Sequence, residues 1–266
     1  MTVIKLLDKP KLVNPIFIEG LPGVGNIGRV SAGYLVEELK AKKFAELYSE
    51  WFFPFVMLHD DYKIHLLKNE FYYIKKGPHC NRDMIILTGD CQSLSPQGHY
   101  DVSTKILEFV KKFGTKEIIT IGGLATGELE DKEQKVVGAV THDDLLKKYK
   151  DKKLDFNAGK KVGYIVGATG LLLGIGAEMD MKGVCLLGQT AGYPIITDPK
   201  AAEEVLAVLS DLIDMKIDMS KIGKRVSEME EFIKKVETLQ KKALSEITKQ
   251  SKSGGSVKED ETRYIG

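Results

Sequence analysis

The sequence predicts an α/β protein built on a mostly parallel sheet, followed by a long helix and a flexible tail. Three observations carry this prediction. Short, β-branched, nearly all-apolar runs recur through residues 1–218, and helical periodicities fall between them. From residue 219 to 250 the pattern becomes one long helix, and from 251 to 266 it becomes Ser, Gly and charge. The expected organisation is therefore an α/β domain at 1–218, a helix at 219–250 and a tail at 251–266.

In chain order, Val13–Glu19, Phe44–Tyr48 and Phe55–Leu58 read as strands. Tyr62–Leu67 and Glu70–Ile74, separated by Lys68 and Asn69, alternate enough to suggest a hairpin. Met84–Thr88, Glu117–Ile121, Val136–Thr141, Val162–Val166 and Val184–Leu187 have the composition of strands buried on both faces. Asn26–Lys40 places Ile27, Val30, Tyr34 and Leu35 on one side of a helix, and Val102–Phe113 does the same with Ile106, Leu107, Phe109 and Val110. Pro199–Met215 begins with Asp198 as N-cap and Pro199 at the first helical position.

The long helix follows a different logic. Ile222, Val226, Met229, Ile233, Val236, Gln240, Ala243 and Ile247 alternate spacings of four and three, which is a heptad seam widened by Phe232 and Leu239. Thirty residues of helix span about 45 Å, close to the diameter of the body itself. The helix can therefore lie along its own domain or bundle with copies of itself. The narrow seam and its Lys/Glu flanks favour self-association through Ile222, Val226, Met229, Ile233, Val236 and Ile247.

Charge and composition narrow the function classes. There are 39 basic against 38 acidic side chains, a net charge of +1, so binding to nucleic acid by bulk phosphate neutralisation is not expected. The 3 cysteines, Cys80, Cys91 and Cys185, are odd in number and widely spaced, which fits a reducing cytoplasm rather than a disulfide framework. The N-terminus has no long apolar stretch and no segment has membrane-span character, so a soluble cytoplasmic protein is expected.

Three glycine-rich stretches follow predicted strands. In Gly20–Gly28, the set Gly23, Gly25 and Gly28 has the spacing of a dinucleotide-binding loop, which makes a nucleotide- or nucleoside-binding enzyme the alternative function. The acid that would hold a ribose has only loose candidates in Glu46 and Glu50. The ordinary reading of the glycines, a tight turn that lets a helix pack closely on the sheet, is preferred. Gly167–Gly176 is not a P-loop, because no Gly-Lys-Ser/Thr ends it. Gly122–Glu128 is the third stretch. Ends of parallel strands line a common crevice, so these loops are expected to cluster where a small ligand would fit.

Catalytic arrangements are thin. Asp90, Cys91, Ser93, His99 and Asp101 lie close in sequence, but Ser93 or Ser95 ahead of Pro96 reads more simply as a turn or helix cap. His79, Cys80 and Cys91 lack zinc-site spacing. His59, His65 and His142 read as ordinary surface or strand histidines. No catalytic residue, metal or cofactor is expected. The tail, Ser251–Thr262, has the composition of a tether and ends in Arg263, Tyr264, Ile265 and Gly266, a short apolar plug on a string.

Taken in order, Gly20–Gly28, Gly122–Gly127, Gly167–Gly174 and Gly192–Ala202 resemble the blocks of the archaeal branch of the proteasome-assembly-chaperone family, whose members were once loosely labelled carboxylate-amine ligases. The resemblance spans roughly Lys11 to Leu244. It implies an α/β/α sandwich related to the phosphorylase/hydrolase-like fold, self-association with a tetramer favoured, and ATP-independent binding of proteasome core-particle α subunits or the α-ring. Factors that dock on that ring often end in hydrophobic–Tyr–any residue. Here Tyr264 stands third from the end, displaced by one position, with Ile265 and the carboxylate of Gly266 completing the implied docking peptide.

Overall fold

The computed structural model describes residues 1–59, 61–127, 136–157, 163–191, 197–224, 226–227, 234–236, 238–242 and 245. Eleven strands are described: β1 (Thr2–Leu6), β2 (Ile16–Glu19), β3 (Lys42–Ser49), β4 (Val56–Leu58), β5 (Ile64–Leu66), β6 (Asn69–Ile74), β7 (Met84–Gly89), β8 (Glu117–Ala125), β9 (Val136–Val140), β10 (Leu154–Asp155) and β11 (Lys182–Thr190). The helices are α1 (Ile27–Glu38), α2 (Pro96–Lys111), α3 (Asp143–Tyr149), α4 (Ala168–Glu178) and α5 (Pro199–Ile213), and the described residues from 222 to 245 are also helical and are called the C-terminal helix.

Nine strands form one mixed sheet in the order β1-β3-β6-β7-β2-β8-β11-β9-β10. Its centre, β7-β2-β8-β11, is parallel throughout, and β1, β3 and β6 add an antiparallel wing. The central strands are buried on both faces, as their unbroken apolar runs require. Helices α1 and α5 pack together on one face and α2 and α4 on the other, giving the three-layer sandwich.

Each face has its own core. Ile16, Ile18, Val30, Leu35, Ile86, Ile119, Leu186, Val205 and Leu209 close the α1/α5 side. Phe17, Phe44, Phe71, Ile85, Leu87, Ile106, Leu107, Leu172 and Cys185 close the α2/α4 side. Alternate residues of one strand, such as Ile16, Phe17 and Ile18, therefore feed opposite layers. Burying each such side chain is worth about 1.5–3 kcal/mol.

The helix starts follow simple chemistry. Ser95 Oγ accepts from Gly98 N at 3.1 Å with Pro96 at the first turn of α2, and Asp198 Oδ1 accepts from Ala201 N at 2.9 Å with Pro199 opening α5. The cap at Ser95 thus starts α2 six residues ahead of the expected Val102.

Three expectations need correction. The hairpin at Tyr62–Ile74 does not form: β5 pairs with β4, whereas β6 pairs with β3 and β7 inside the main sheet. Lys68 and Asn69 look like a turn but carry the chain from one sheet into another. Of the strand expected at Val162–Val166, residues 163–166 belong to no strand. The third correction concerns the heptad seam. Ile222 and Val226 are buried in the α1/α5 core and Val236 in the α2/α4 core, where Leu239 packs beside it. The chain's own body covers these three side chains, so they are not an exposed seam. Met229, Ile233 and Ile247 lie outside the described residues, as does the whole of 251–266 with Tyr264, Ile265 and Gly266.

A charge at Val236 therefore attacks the fold itself. Val236→Asp places a carboxylate where only 1% of the residue is exposed, and chemical denaturation is expected to show a loss of about 3 kcal/mol or more. A seam between copies would instead give a lighter particle of unchanged stability.

Candidate functional site

The C-terminal ends of the parallel strands do not finish level. β2 stops at Glu19, opposite Thr120 of β8, but β8 and β11 stay paired as far as Ala125 and Thr190. That projecting pair forms a wall, and the loop from Gly20 to Gly28 folds back against it. The approach is backbone to backbone. A Cβ at Gly28 would lie 2.5 Å from Ile121 O, one at Gly20 would lie 2.2 Å from Gly28 O, and one at Gly123 would lie 2.1 Å from Val24 O. Gly25 has φ +62°, in the left-handed region that glycine tolerates best. Its carbonyl accepts from Asp198 N at 3.0 Å, tying the loop to the start of α5.

The glycines thus serve close packing. A dinucleotide loop also needs the strand after its helix to pair beside the first, so that an acid on it reaches the ribose. Here α1 leads to β3, which lies three places away from β2 with β6 and β7 between them. Glu46 on β3 is held by Lys68 Nζ at 2.6 Å, Lys43 Nζ at 3.2 Å and the Tyr48 hydroxyl at 2.9 Å. Burial works against its charge, but these three donors prevail and bring its carboxyl down to about 2. Glu50 stands at the far end of β3 and pairs with the N-terminal amine.

Between the glycine-rich loops lies a cavity of about 460 Å³. Gly23, Gly122, Gly123 and Gly167 all line it, so the three stretches singled out by sequence do cluster. Leu21, Phe53, Leu124, Ile165 and Leu187 make most of its wall apolar, and Arg29, Asp90, Gln92, His99 and Thr169 supply its polar groups. Gln92 is the staple across it: Nε2 donates to Pro22 O at 2.7 Å, and Oε1 accepts from Ala168 N at 2.9 Å. One side chain thereby joins the opening loop to the first turn of α4.

Asp90 joins more distant parts. Its Oδ2 pairs with His65 Nε2 at 2.6 Å and accepts from Lys68 N at 3.0 Å, its Oδ1 lies 3.7 Å from Arg29 Nη2, and its carbonyl accepts from Gln240 Nε2 at 3.4 Å. Val236, Gln240 and Lys241 also line the cavity, so the C-terminal helix forms part of its wall.

The groups that looked like a catalytic cluster are distributed differently. Cys91 and His99 reach the cavity, with burial pushing the Cys91 thiol well above its ordinary range and lowering the imidazole of His99. Asp101 instead bonds the Thr2 hydroxyl and accepts from Trp51 Nε1 at 3.2 Å. Ser93 Oγ bonds its own turn at Ser95. Cys80 and Cys91 belong to opposite cores. Among the described residues no three His, Cys, Asp or Glu side chains could hold a metal ion.

Sequence reading found the loops but missed Arg29, Asp90, Gln92 and the C-terminal helix as wall residues. It also missed Glu19, fully buried where β2 ends. Glu19 Oε1 accepts from Leu21 N at 2.9 Å, while Oε2 has no partner among the described residues. Burial outweighs the backbone hydrogen bonds from Leu21 and Ile121 and raises its carboxyl from 4.5 to about 8.

Three comparisons place this architecture. The chain matches the PAC2 family over residues 17–237. An uncharacterized protein of Methanocaldococcus jannaschii is 37% identical over 262 residues, covering 98% of this chain and 96% of the relative. Among solved structures, Pyrococcus furiosus PbaB, described as an archaeal proteasome activator, superimposes with a TM-score of 0.79 at 45% identity, over 89% of this chain and 98% of PbaB. Pyrococcus furiosus PbaA, described as an archaeal homolog of proteasome-assembly chaperone, gives 0.73 at 25% identity, over 91% and 99%. The chain belongs to the PAC2 family.

Two outcomes test the site's construction. Gly28→Ala forces the loop off the sheet and is expected to lower stability by about 1–3 kcal/mol in urea denaturation, whereas Gly174→Ala, whose added Cβ would meet nothing within 4 Å among the described residues beyond its chain neighbours and its own helix backbone, gains about 0.5–1 kcal/mol. For Glu19, a folded-state carboxyl held near 8 against 4.5 favours folding while protonated. That contribution is complete below 4.5 and is lost as pH rises through about 8, with a slope of up to about 1.4 kcal/mol per unit. Glu19→Gln is expected to flatten the dependence of the denaturation midpoint on pH across that window.

Proposed function

We propose, from membership of the PAC2 family, that this chain is a non-enzymatic, ATP-independent factor that binds the proteasome core particle, acting in its assembly or activation. The observation that carries the reading is the 45% identity to PbaB across nearly the whole of both chains. The contact is proposed to be with α subunits or the assembled α-ring, in the cytoplasm, and to be made by a self-associated body, with a tetramer as the family resemblance implies. The tail is proposed to supply the docking peptide through Tyr264, Ile265 and Gly266.

Sequence and length support the tail's part in this. Ser251–Thr262 reaches at most about 40 Å when extended and about 20 Å as a coil. Several such tails on one body raise the effective concentration of the second plug once the first has docked, so individually weak contacts hold well together. The construction of the strand-end cavity gives no support to a nucleotide enzyme, because the Gly28 approach is filled by backbone and the only acid on β3 near enough in sequence is pinned by lysines.

Deleting Arg263–Gly266 is expected to weaken binding to core particles at least tenfold, a loss of about 1.4 kcal/mol or more, with mass in solution and melting temperature unchanged. Equal binding by the truncated and intact proteins in surface plasmon resonance would remove the tail from the mechanism.

A further inference from the structure

Strands β4 and β5 form a two-stranded ribbon that is separate from the main sheet. Its inner face is anchored: Met57 is buried, and His65 reaches Asp90. Its outer face is not. Val56, Leu58, Ile64 and Leu66 are 49%, 59%, 72% and 54% exposed, and Tyr62 at the tip is 87% exposed. The register sets Val56 opposite Leu66 and Leu58 opposite Ile64, so the four aliphatic side chains form a compact square with no charge in it.

We propose that this outer face is where two copies of the chain meet, ribbon against ribbon, about a twofold axis. The inference rests on the self-association reading above and gives it a surface. Four features of the ribbon select a second copy as the occupant. A charge-free aliphatic square offers nothing to an acidic or basic partner, and its best complement is another such square. An antiparallel pair is compatible with a twofold axis, so each residue can meet its equivalents in an isologous contact. With Tyr62 beside it, the patch leaves on the order of several hundred Å² exposed per chain, the scale of the largest patch on a monomer and of one partner's share of a standard interface. A two-stranded ribbon is also marginal until its apolar face is covered. Ile222, Val226 and Val236, the other apolar surface that sequence had offered for association, are already covered by the chain's own cores.

The test is Leu58→Lys combined with Ile64→Lys, followed by sedimentation velocity over a range of concentrations. Both side chains are exposed, so the lysines bury no charge within one chain, and an unchanged melting curve confirms the fold. Leu58→Thr with Ile64→Thr keeps strand propensity and should act in the same direction. The expected result is a wild-type particle heavier than the 29.6 kDa chain and at least a hundredfold weaker association in the lysine variant. A variant that keeps the wild-type mass overturns the ribbon interface while leaving self-association intact. A variant of unchanged mass that no longer binds core particles assigns the ribbon to that partner and equally overturns the proposal. A wild-type protein that stays at 29.6 kDa throughout overturns both the interface and the self-association reading.

Discussion

The contact between the Gly20–Gly28 loop and the projecting end of β8 leaves no room for a single side-chain carbon, and the strand-end architecture takes its position from it. Because Gly28 lies directly on Ile121 O and Gly123 on Val24 O, α1 enters its layer at a fixed height above the sheet. From there α1 meets α5, whose own start is tied back to the loop through Asp198 N and Gly25 O. Gln92 then carries the same loop across to α4 on the opposite face. A constraint made only of backbone thus registers both helical layers against one sheet. It also sets the width of the cavity, whose floor is the glycine wall and whose sides are the loops that the glycines hold in place.

Such a site is built for rigidity. Its polar groups largely serve the protein: Gln92 staples, Asp90 collects donors, and Ser93 closes a turn. A buried, protonated Glu19 at the end of β2 belongs to the same design, since it accepts the Leu21 amide where the chain leaves the sheet. Burial holds its carboxyl up to about 8, so the stability it contributes falls away between pH 4.5 and about 8.

What was legible in the sequence follows from the range of the interactions involved. The central strands announced themselves because burial on both faces requires unbroken apolar runs, as in Met84–Thr88 and Val184–Leu187. The start of α5 was visible in Asp198-Pro199, because capping is a local matter, whereas at α2 the apolar periodicity pointed to Val102 and the cap at Ser95-Pro96 set the start earlier. The pairing of β5 was not visible, since Lys68 and Asn69 carry local turn chemistry while the choice of partner is made by non-local contacts with β4 and Asp90. Likewise, the spacing of Ile222, Val226 and Val236 is the same for a seam between chains as for a helix lying on its own core. Periodicity reports that a face is buried and is silent on what buries it. At the site, the loops were legible through glycine, but the wall residues Arg29, Gln92 and Gln240 come from elements far apart in the chain.

Asp90 shows how the parts outside the central sheet are joined. Its carboxylate holds His65 of the ribbon and faces Arg29 of α1, its carboxylate also takes the Lys68 amide where the chain enters β6, and its carbonyl takes Gln240 of the C-terminal helix. The ribbon, the cavity wall and the last described helix therefore share one buried residue, with a single hydrogen bond between Asp90 and either the ribbon or that helix. The ribbon and the last described helix are thereby tied to each other through His65, Asp90 and Gln240, by contacts that lie outside the nine-stranded sheet.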